Sequence, residues 1–350
     1  MKIVNLAFVF VLSISAHAQQ LQKYYGDAMA AYRAKDYAKF YENIKEAYKI
    51  RPSHQGVLYQ LGIAAALTNH PKEAIEALRK AILINADFKL YGLADFNSIK
   101  DSKDFKEILA LQKEWQTPVI NSEIAFVLKD RSLHSEGIEY DSRSKIFYVG
   151  SIHKRKIIKV LSDGSSTDFC AAGVNGMTSI FGIKIDPKKN LLWACASPMQ
   201  EMENYDSTVH SAVFKFELSS GKLVSKYELQ LSKTNVFGDL ILNSKGQVFV
   251  SDSQGNSIFT VNEKSNLLEP FYSSPEFANI QGIAFSTDEK YLFIADYMKS
   301  IFRLNIKTKE LIEITSDKVS LKGIDGLYFY NNSLIAIQNG VSPMRSTRYY

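Results

Sequence analysis

Hydrophobic positions change their period near residue 117, and this change divides the chain into two parts. Over residues 19–116, apolar and small residues recur three and four positions apart, which is typical of amphipathic helices. Over residues 117–350, short apolar runs alternate with polar positions and are separated by turn residues, which is typical of β-strands. The pattern predicts an α+β multidomain chain, with a helical region over 19–116 and an all-β region over 117–350.

The helical region repeats itself at a constant shift, so that Ala28 corresponds to Gly62 and Ile44 to Leu78. This period and its small residues resemble the tetratricopeptide repeat, and the clearer copy is LYQLGIAAALTNHPKEAIEALRKAILIN. In the first copy, Phe40 stands where a small residue is usual. The resemblance implies a short array that binds a protein or peptide partner. A structural spacer is an equally open interpretation, because no carboxylate-clamp pattern of basic residues is present.

Five related hexapeptides recur in the β region, each followed by a turn and a second apolar strand. They are EGIEYD, FGIKID, GDLILN, QGIAFS and DGLYFY, and they follow one another at similar intervals, the second interval being the longest. A unit of this length with three or four strands is typical of propeller blades. A β-sandwich would not explain the recurring hexapeptide. The repeat therefore predicts a β-propeller with blades that start at Glu136, Phe181, Gly238, Gln281 and Asp325.

These hexapeptides and their second strands resemble the six-bladed propellers of the senescence marker protein/gluconolactonase family, with paraoxonases and strictosidine synthases as looser relatives. The clearest stretch is QGIAFSTDEKYLFIADYMKSIFRLNI, which begins at Gln281. The resemblance extends over residues 121–350 at the level of the blade pattern. Such a pattern is informative about the fold and much less so about the substrate.

A six-bladed ring needs more chain than this sequence supplies, because the last blade start, Asp325, is followed by little more than half a blade before Tyr350. We expect an incomplete ring that lacks the end of the fifth blade and all of the sixth. The segment SEIAFVLKD, residues 122–130, is then expected to be the strand that normally closes the ring. A five-bladed ring is the alternative.

In the resembled family, the innermost strands begin at one mouth of the central channel, where oxygen ligands from several blades can surround one divalent cation. The resemblance implies a glutamate from the first blade, asparagines from the third and fourth, and an aspartate from the fifth. Glu136 and Asp325 match the two acids, and Gln281 stands at the fourth-blade position. The third-blade position is Gly238, which has no side-chain ligand. Asp239 follows it, although strand alternation favours the opposite direction for its side chain.

The resemblance thus implies Ca²⁺, with Zn²⁺ or Mn²⁺ as alternatives, bound by Glu136, Gln281, Asp325 and Asp239. Asp325 would be the catalytic residue if the chain hydrolyses a lactone or ester in the channel. Because the third-blade ligand is missing, a binding or scaffold protein is favoured over a metal-dependent hydrolase. A polar mouth in which Glu136 and Asp325 are merely solvated is a further interpretation.

The segment before Gln19 has the pattern of an export signal. Lys2 precedes a mostly apolar run, and Ala16-His17-Ala18 is a small-x-small cleavage pattern. The run is too short for a stop-transfer helix, and no other long apolar segment follows. We therefore expect a periplasmic or secreted protein, mature from near Gln19, with no membrane span. The formal net charge is +5, and because lysines alternate with acids along the chain, no nucleic-acid-binding face is predicted.

The two cysteines, Cys170 and Cys195, lie well apart in the sequence and without a metal-type spacing. In an oxidising compartment they could form a disulfide. Two separately buried thiols are the favoured interpretation.

Overall fold

The computed structural model describes residues 4–230 and 235–350, with side chains from Gln19 onward. The described residues form two compact units. One unit comprises the chain up to Ile120 together with Ser316–Ser320 and Val341–Met344, and the other comprises Asn121–Thr315, Leu321–Gly340 and Arg345–Tyr350. The predicted fold class, a helical unit followed by a mostly β unit of propeller type, is confirmed.

The α-helices of the first unit, as far as the chain is described, are α1 Val4–Arg33, α2 Tyr37–Ile50, α3 Gln55–Leu67, α4 Pro71–Ile84 and α5 Lys103–Gln116. Their starts follow local chemistry. The Asp36 side chain accepts a hydrogen bond from the Lys39 amide at the start of α2, and Ser102 does the same for Phe105 at the start of α5. Within the described part of the chain, no helix is long and apolar enough to cross a membrane.

Small residues let the helices approach closely, as the helical repeat predicts. A Cβ on Gly62 would lie 2.5 Å from Leu78 Cδ2, so α3 and α4 are close enough there that a larger residue would have to displace the Leu78 side chain. Ala28, Ile44 and Leu78 are fully buried in the same core. Assignment of these helices to the tetratricopeptide family stays a prediction, as does the export signal, of which residues 1–3 lie outside the described chain.

A short late segment belongs to the helical unit. Ser342 accepts a backbone hydrogen bond from Ala86 at 2.8 Å and donates one to Ile84 at 2.9 Å. Val341 packs in a small apolar cluster with Leu58 and Ile84. This unit is therefore assembled from distant parts of the sequence.

The second unit, in its described part, consists of antiparallel blades, of which the first four have four strands each and the fifth has three. The strands are β1 Ser135–Asp141, β2 Ile146–Ser151, β3 Ile157–Val160 and β4 Ser166–Cys170; β5 Ser179–Asp186, β6 Leu191–Ser197, β7 Ala212–Glu217 and β8 Leu223–Glu228; β9 Phe237–Leu242, β10 Val248–Asp252, β11 Ser257–Asn262 and β12 Leu267–Ser273; β13 Ile280–Phe285, β14 Tyr291–Asp296, β15 Ile301–Asn305 and β16 Leu311–Ile314; and β17 Ile324–Tyr330, β18 Ser333–Gln338 and β19 Arg345–Tyr349. A parallel bridge between Leu267 and Glu228 joins the second and third blades into one eight-stranded sheet.

All five predicted blade starts lie on the first strand of a blade, and each predicted second strand pairs with it in antiparallel register. The turns explain the tight hairpins. In the last blade, Tyr330 pairs with Ser333, and both intervening residues, Asn331 and Asn332, have positive φ. Asparagine tolerates this left-handed conformation, which such a short hairpin turn needs.

The apolar cores lie between neighbouring blades. The third hexapeptide position is buried in the second to fifth blades, at Ile183, Leu240, Ile283 and Leu327, whereas Ile138 in the first blade is 45% exposed. First strands pack side by side in the order β1, β5, β9, β13, β17. Among the described residues, no packing of similar extent joins β17 back to β1, and this open side explains why Ile138 is exposed.

The segment 122–130 corrects one expectation, because it is not a strand. Phe126 and Leu128 instead pack against the first blade, beside Val149 and Ile158. Among the described residues, no backbone hydrogen bond pairs this segment with a neighbouring strand, and these two apolar side chains are partly buried by packing on the blade instead. Cys170 and Cys195 are both buried and free, as the favoured interpretation predicts.

Candidate functional site

The first strands of all blades converge at one end, where the leading residues of the hexapeptides form a ring. We call this ring, made of Glu136, Phe181, Gly238, Gln281 and Asp325, the channel mouth. Glycine at the second hexapeptide position brings the strands together there. A Cβ on Gly182 would lie 2.8 Å from the Leu240 amide nitrogen, and one on Gly282 would lie 2.5 Å from the Leu327 amide nitrogen.

Glu136 and Asp325 meet at the mouth, although they come from opposite ends of the propeller sequence. Their carboxyl groups lie within hydrogen-bonding reach of each other. Two adjacent carboxylates repel each other, so such a pair either shares a proton or binds a cation. This contact brings together the two acids that the resemblance placed on the first and fifth blades.

Glu136 holds its proton unusually tightly for a glutamate. Its side chain is exposed to solvent at the mouth. Partial desolvation of the carboxyl group by the neighbouring strands, followed by the charge of Asp325 and those of Glu201 and Asp239, nevertheless raises the pKa of Glu136 to about 7. Near neutral pH the group therefore titrates between a proton donor and an anion.

Asp325 is half-buried and, unlike Glu136, accepts a hydrogen bond from a neighbouring amide side chain. Asn339 Nδ2 donates a hydrogen bond to Asp325 Oδ2 at 2.8 Å. Burial raises the pKa of Asp325, while the bonds from Asn339 and Glu136 oppose that rise. Of the two acids, Asp325 is consequently the one that remains an anion when the pair holds a single proton.

Gln281 reaches the mouth through an ordered chain of amides. Its Nε2 donates to Asn279 Oδ1 at 3.0 Å, and Asn279 Nδ2 donates to the Ser253 carbonyl oxygen at 3.0 Å. Asp296 is fully buried and fixes this loop by accepting backbone hydrogen bonds from Ala278 and Asn279. The amide oxygen of Gln281 is thereby turned away from Asn279.

Asp239 lies beside the mouth with its oxygens already engaged. Oδ1 accepts a hydrogen bond from the Leu240 amide at 2.8 Å, and Oδ2 accepts one from the Ile283 amide, across the blade interface, at 3.3 Å. Burial raises the pKa of Asp239 to about 6. The carboxylate fills space next to Gly182, where a Cβ would come within 2.8 Å of Oδ1. Asp239 thus connects the inner strands of two blades.

The donors at the mouth are all oxygen atoms: two carboxyl groups and one amide. Hard divalent cations such as Ca²⁺ prefer oxygen ligands and accept irregular geometry with water in the remaining positions. This donor set fits Ca²⁺ better than Zn²⁺, which favours nitrogen and sulfur. Among side chains of residues 19–230 and 235–350, no group of three or more His, Cys, Asp or Glu residues is arranged to hold a metal.

Three further polar residues near the site were not predicted from the sequence. Asn279 and Asn339 contact the side chains of Gln281 and Asp325, and the charge of Glu201 acts on Glu136. The sequence does contain a hint of Glu201, because this residue lies in the longest of the intervals between blade starts, the one from Phe181 to Gly238. Asn339 follows the second strand of its hairpin, so antiparallel register also placed it at the mouth.

A cleft of about 590 Å³ lies on the mouth side of the second and third blades, under the long connection between β6 and β7. Its lining combines apolar and polar side chains, including Met199, Tyr205, His210 and Gln254. The connection is held in place by His153, whose Nδ1 lies 2.6 Å from the Glu201 carbonyl oxygen. The cleft offers space for an organic ligand on the same side as the carboxyl pair.

No protein-family model matches the chain, and no curated protein matches it. Similar solved structures include an inactive virginiamycin B lyase from Staphylococcus aureus with quinupristin, at 17% identity and a TM-score of 0.48, covering 63% of this chain and 71% of the lyase. A gluconolactonase from Xanthomonas campestris is 14% identical, with a TM-score of 0.46 and coverage of 61% and 75%. A Bacteroides thetaiotaomicron protein of unknown function is 12% identical, with a TM-score of 0.47 and coverage of 61% and 58%.

Proposed function

We propose that this protein is an exported binding protein whose propeller holds a divalent cation, Ca²⁺ in the first place, at the channel mouth. Glu136 and Asp325 would supply carboxylate oxygens and Gln281 an amide oxygen. Asp239 is not assigned as a ligand, because backbone amides engage both of its oxygens. A ligand in the adjacent cleft would then meet the cation at the mouth.

One observation carries this proposal, namely the contact between Glu136 and Asp325. Bringing two acids together at a half-buried site costs free energy unless a proton or a cation compensates the charge. A fold that needed only a polar mouth would gain nothing from this repulsion. A cation that binds the pair relieves the repulsion and so has a ready source of binding free energy.

The test is calorimetric titration of the chelator-treated protein with CaCl₂, ZnCl₂ and MnCl₂. We expect one site per chain for Ca²⁺ and a loss of at least tenfold in affinity in Asp325→Asn. Asp288→Asn is the matched control, since Asp288 accepts its hydrogen bonds in the β13–β14 turn, away from the mouth. Equal affinities in Asp325→Asn and the unmodified protein would overturn the proposal, as would the absence of binding for all three cations.

A second function, metal-dependent hydrolysis of a lactone or ester, is favoured by the raised pKa of Glu136. A carboxyl group that titrates near pH 7 can hold or release a proton during the addition of water to a carbonyl. Asp325, the anionic partner, is the candidate catalytic residue. Turnover of D-glucono-δ-lactone that is lost in Asp325→Asn would support this function, and no turnover with any bound cation would exclude it for that substrate.

We assign the helical unit the part of binding a protein or peptide partner. This assignment is supported by the repeated helical hairpin. The equivalent residues Ile44 and Leu78 are both fully buried between the helices, so the outer faces of the helices remain for contact with a partner. Chemical cross-links between a co-purified periplasmic partner and helices α2 to α5 of the full chain are the expected result. Cross-links confined to the propeller unit would place the binding surface there instead.

A further inference from the structure

Gly238 stands at the mouth position of the third blade, and the Gln281 side chain occupies the space beside it. A Cβ on Gly238 would lie 2.5 Å from Gln281 Oε1 and 3.5 Å from Gln281 Cδ. The first of these contacts is far shorter than carbon and oxygen tolerate. Any larger residue at position 238 would therefore have to displace the amide oxygen of Gln281.

The direction of the Gln281 amide follows from its hydrogen bonds. Only an amide nitrogen can donate, so the bond from Gln281 Nε2 to Asn279 Oδ1 fixes which end of the group faces Asn279. Asn279 is oriented in turn, because its Nδ2 donates to the Ser253 carbonyl oxygen. Gln281 Oε1 consequently faces Gly238. Among the described residues, no donor is bonded to this oxygen.

We propose that Gln281, a residue of the fourth blade, directs its amide oxygen into the ligand position that Gly238 leaves empty on the third blade. Gly238 provides the space for this oxygen, and Asn279 is the positioning residue. This inference rests on the proposed cation site. It explains why Gln281, whose side chain is longer than that of asparagine, occurs beside a glycine, Gly238, at the mouth. The additional methylene of glutamine extends the oxygen toward the third blade, where no side chain competes for the space.

The first test compares Ca²⁺ affinity, by calorimetry, in Gln281→Met and in the unmodified protein. Methionine keeps the length of the side chain and removes the amide oxygen. We expect a loss of at least about tenfold in Gln281→Met, and a loss no larger than this in Asn279→Ala, because partners that orient a metal ligand typically contribute about tenfold or more to affinity. Gln247→Met is the matched control, since Gln247 is exposed in the β9–β10 turn at the other end of the blade.

A rescue experiment separates a ligand from a merely structural residue. Gly238→Ala should weaken Ca²⁺ binding, because its Cβ displaces Gln281 Oε1. In Gln281→Ala the space is vacated, and adding Gly238→Asn returns an amide oxygen to the third blade, so this double variant should bind more tightly than Gln281→Ala alone. Thermal unfolding without Ca²⁺ checks that each variant is folded.

The outcomes distinguish this inference from the proposed function. If the unmodified protein binds Ca²⁺ and Gln281→Met binds it equally well, the inference is wrong and the carboxyl pair is sufficient. If Gly238→Asn with Gln281→Ala binds no better than Gln281→Ala, the third-blade position does not contribute a ligand. If the unmodified protein binds no Ca²⁺, Zn²⁺ or Mn²⁺, the cation site itself is refuted and the inference with it.

Discussion

Lys184 and Glu139 form an ion pair inside the channel, with Nζ and Oε2 3.0 Å apart, and join the first strands of two neighbouring blades. Both occupy the fourth hexapeptide position, beyond the mouth. Lys184 also lies over the Tyr328 ring, 4.5 Å from its centre. Burial alone would lower the pKa of Lys184, but Glu139, Tyr328 and Asp239 raise it above its usual value. The lysine therefore remains charged and needs its partner.

Replacing Lys184 by methionine should destabilise the propeller by about 3 kcal/mol, because it leaves Glu139 largely buried without a counter-charge. Lys290→Met should cost no more than about 0.5 kcal/mol, since the Lys290–Asp288 pair, at 3.1 Å, is mostly exposed. Urea unfolding gives both free energies. In Lys184→Met with Glu139→Gln much of the loss should be recovered. Equal costs for Lys184→Met and Lys290→Met would contradict the prediction.

Replacing the second-position glycine by alanine should destabilise one blade strongly and another hardly at all, which tests the close approach of the first strands. In Gly282→Ala, the new Cβ would meet the Leu327 amide nitrogen at 2.5 Å, so the strands must separate. In Gly326→Ala, the nearest atom is a side-chain carbon of Ile337 at 3.5 Å, an ordinary contact. We expect a loss of about 3 kcal/mol for Gly282→Ala and less than about 0.5 kcal/mol for Gly326→Ala, measured by urea unfolding. If Gly282→Ala caused no loss of unfolding free energy, the first strands would have to lie further apart than the structure shows.

The blades were predictable because their information is local and repeated. Each hexapeptide carries an apolar third residue, which packs between blades in all but the first, and four of the five carry a glycine at the second position, as Gly182 and Gly282 do. Antiparallel pairing then follows from the turn and the second strand. The meeting of Glu136 and Asp325 was predictable for the same reason, since equivalent positions of a ring converge.

Side-chain direction was harder to predict, because it depends on space left by another blade. Asp239 occupies a position where the other blades have glycine, and it fits only because Gly182 on the preceding blade has no side chain. Likewise the direction of Gln281 depends on Asn279 and on the space at Gly238. The segment 122–130 has an alternating pattern as well, but its apolar residues Phe126 and Leu128 are partly buried by packing on the first blade and not by pairing as a strand.

Asp239 should make stability depend on pH in a defined direction. Because burial raises its pKa to about 6, the folded protein holds this proton where the unfolded chain has already released it. The free energy of unfolding should therefore fall as pH rises from about 4 to about 6, and this part of the fall should be absent in Asp239→Asn. Urea unfolding across this range measures the slope.

The matched control for Asp239 is Asp288, whose pKa is shifted in the opposite direction. Hydrogen bonds from Ser286 and Lys290 lower the pKa of Asp288 to about 2. Its contribution to stability is therefore present above about pH 4 and is lost only as pH falls toward 2, so Asp288→Asn should leave the slope between about pH 4 and 6 unchanged. A slope that persists in Asp239→Asn would assign the titration to another group.

Cation affinity should rise with pH, because the proton on the Glu136–Asp325 pair competes with the cation. With the pKa of Glu136 near 7, affinity for Ca²⁺ should weaken by about tenfold for each pH unit below 7 and level off above it. Calorimetry in buffers of different ionisation enthalpy should show about one proton released per Ca²⁺ near pH 6 and almost none near pH 8. Glu136→Gln should bind more weakly and without this dependence, since its amide cannot carry the proton. An affinity that is the same at both pH values would mean that the carboxyl pair is not where the cation binds.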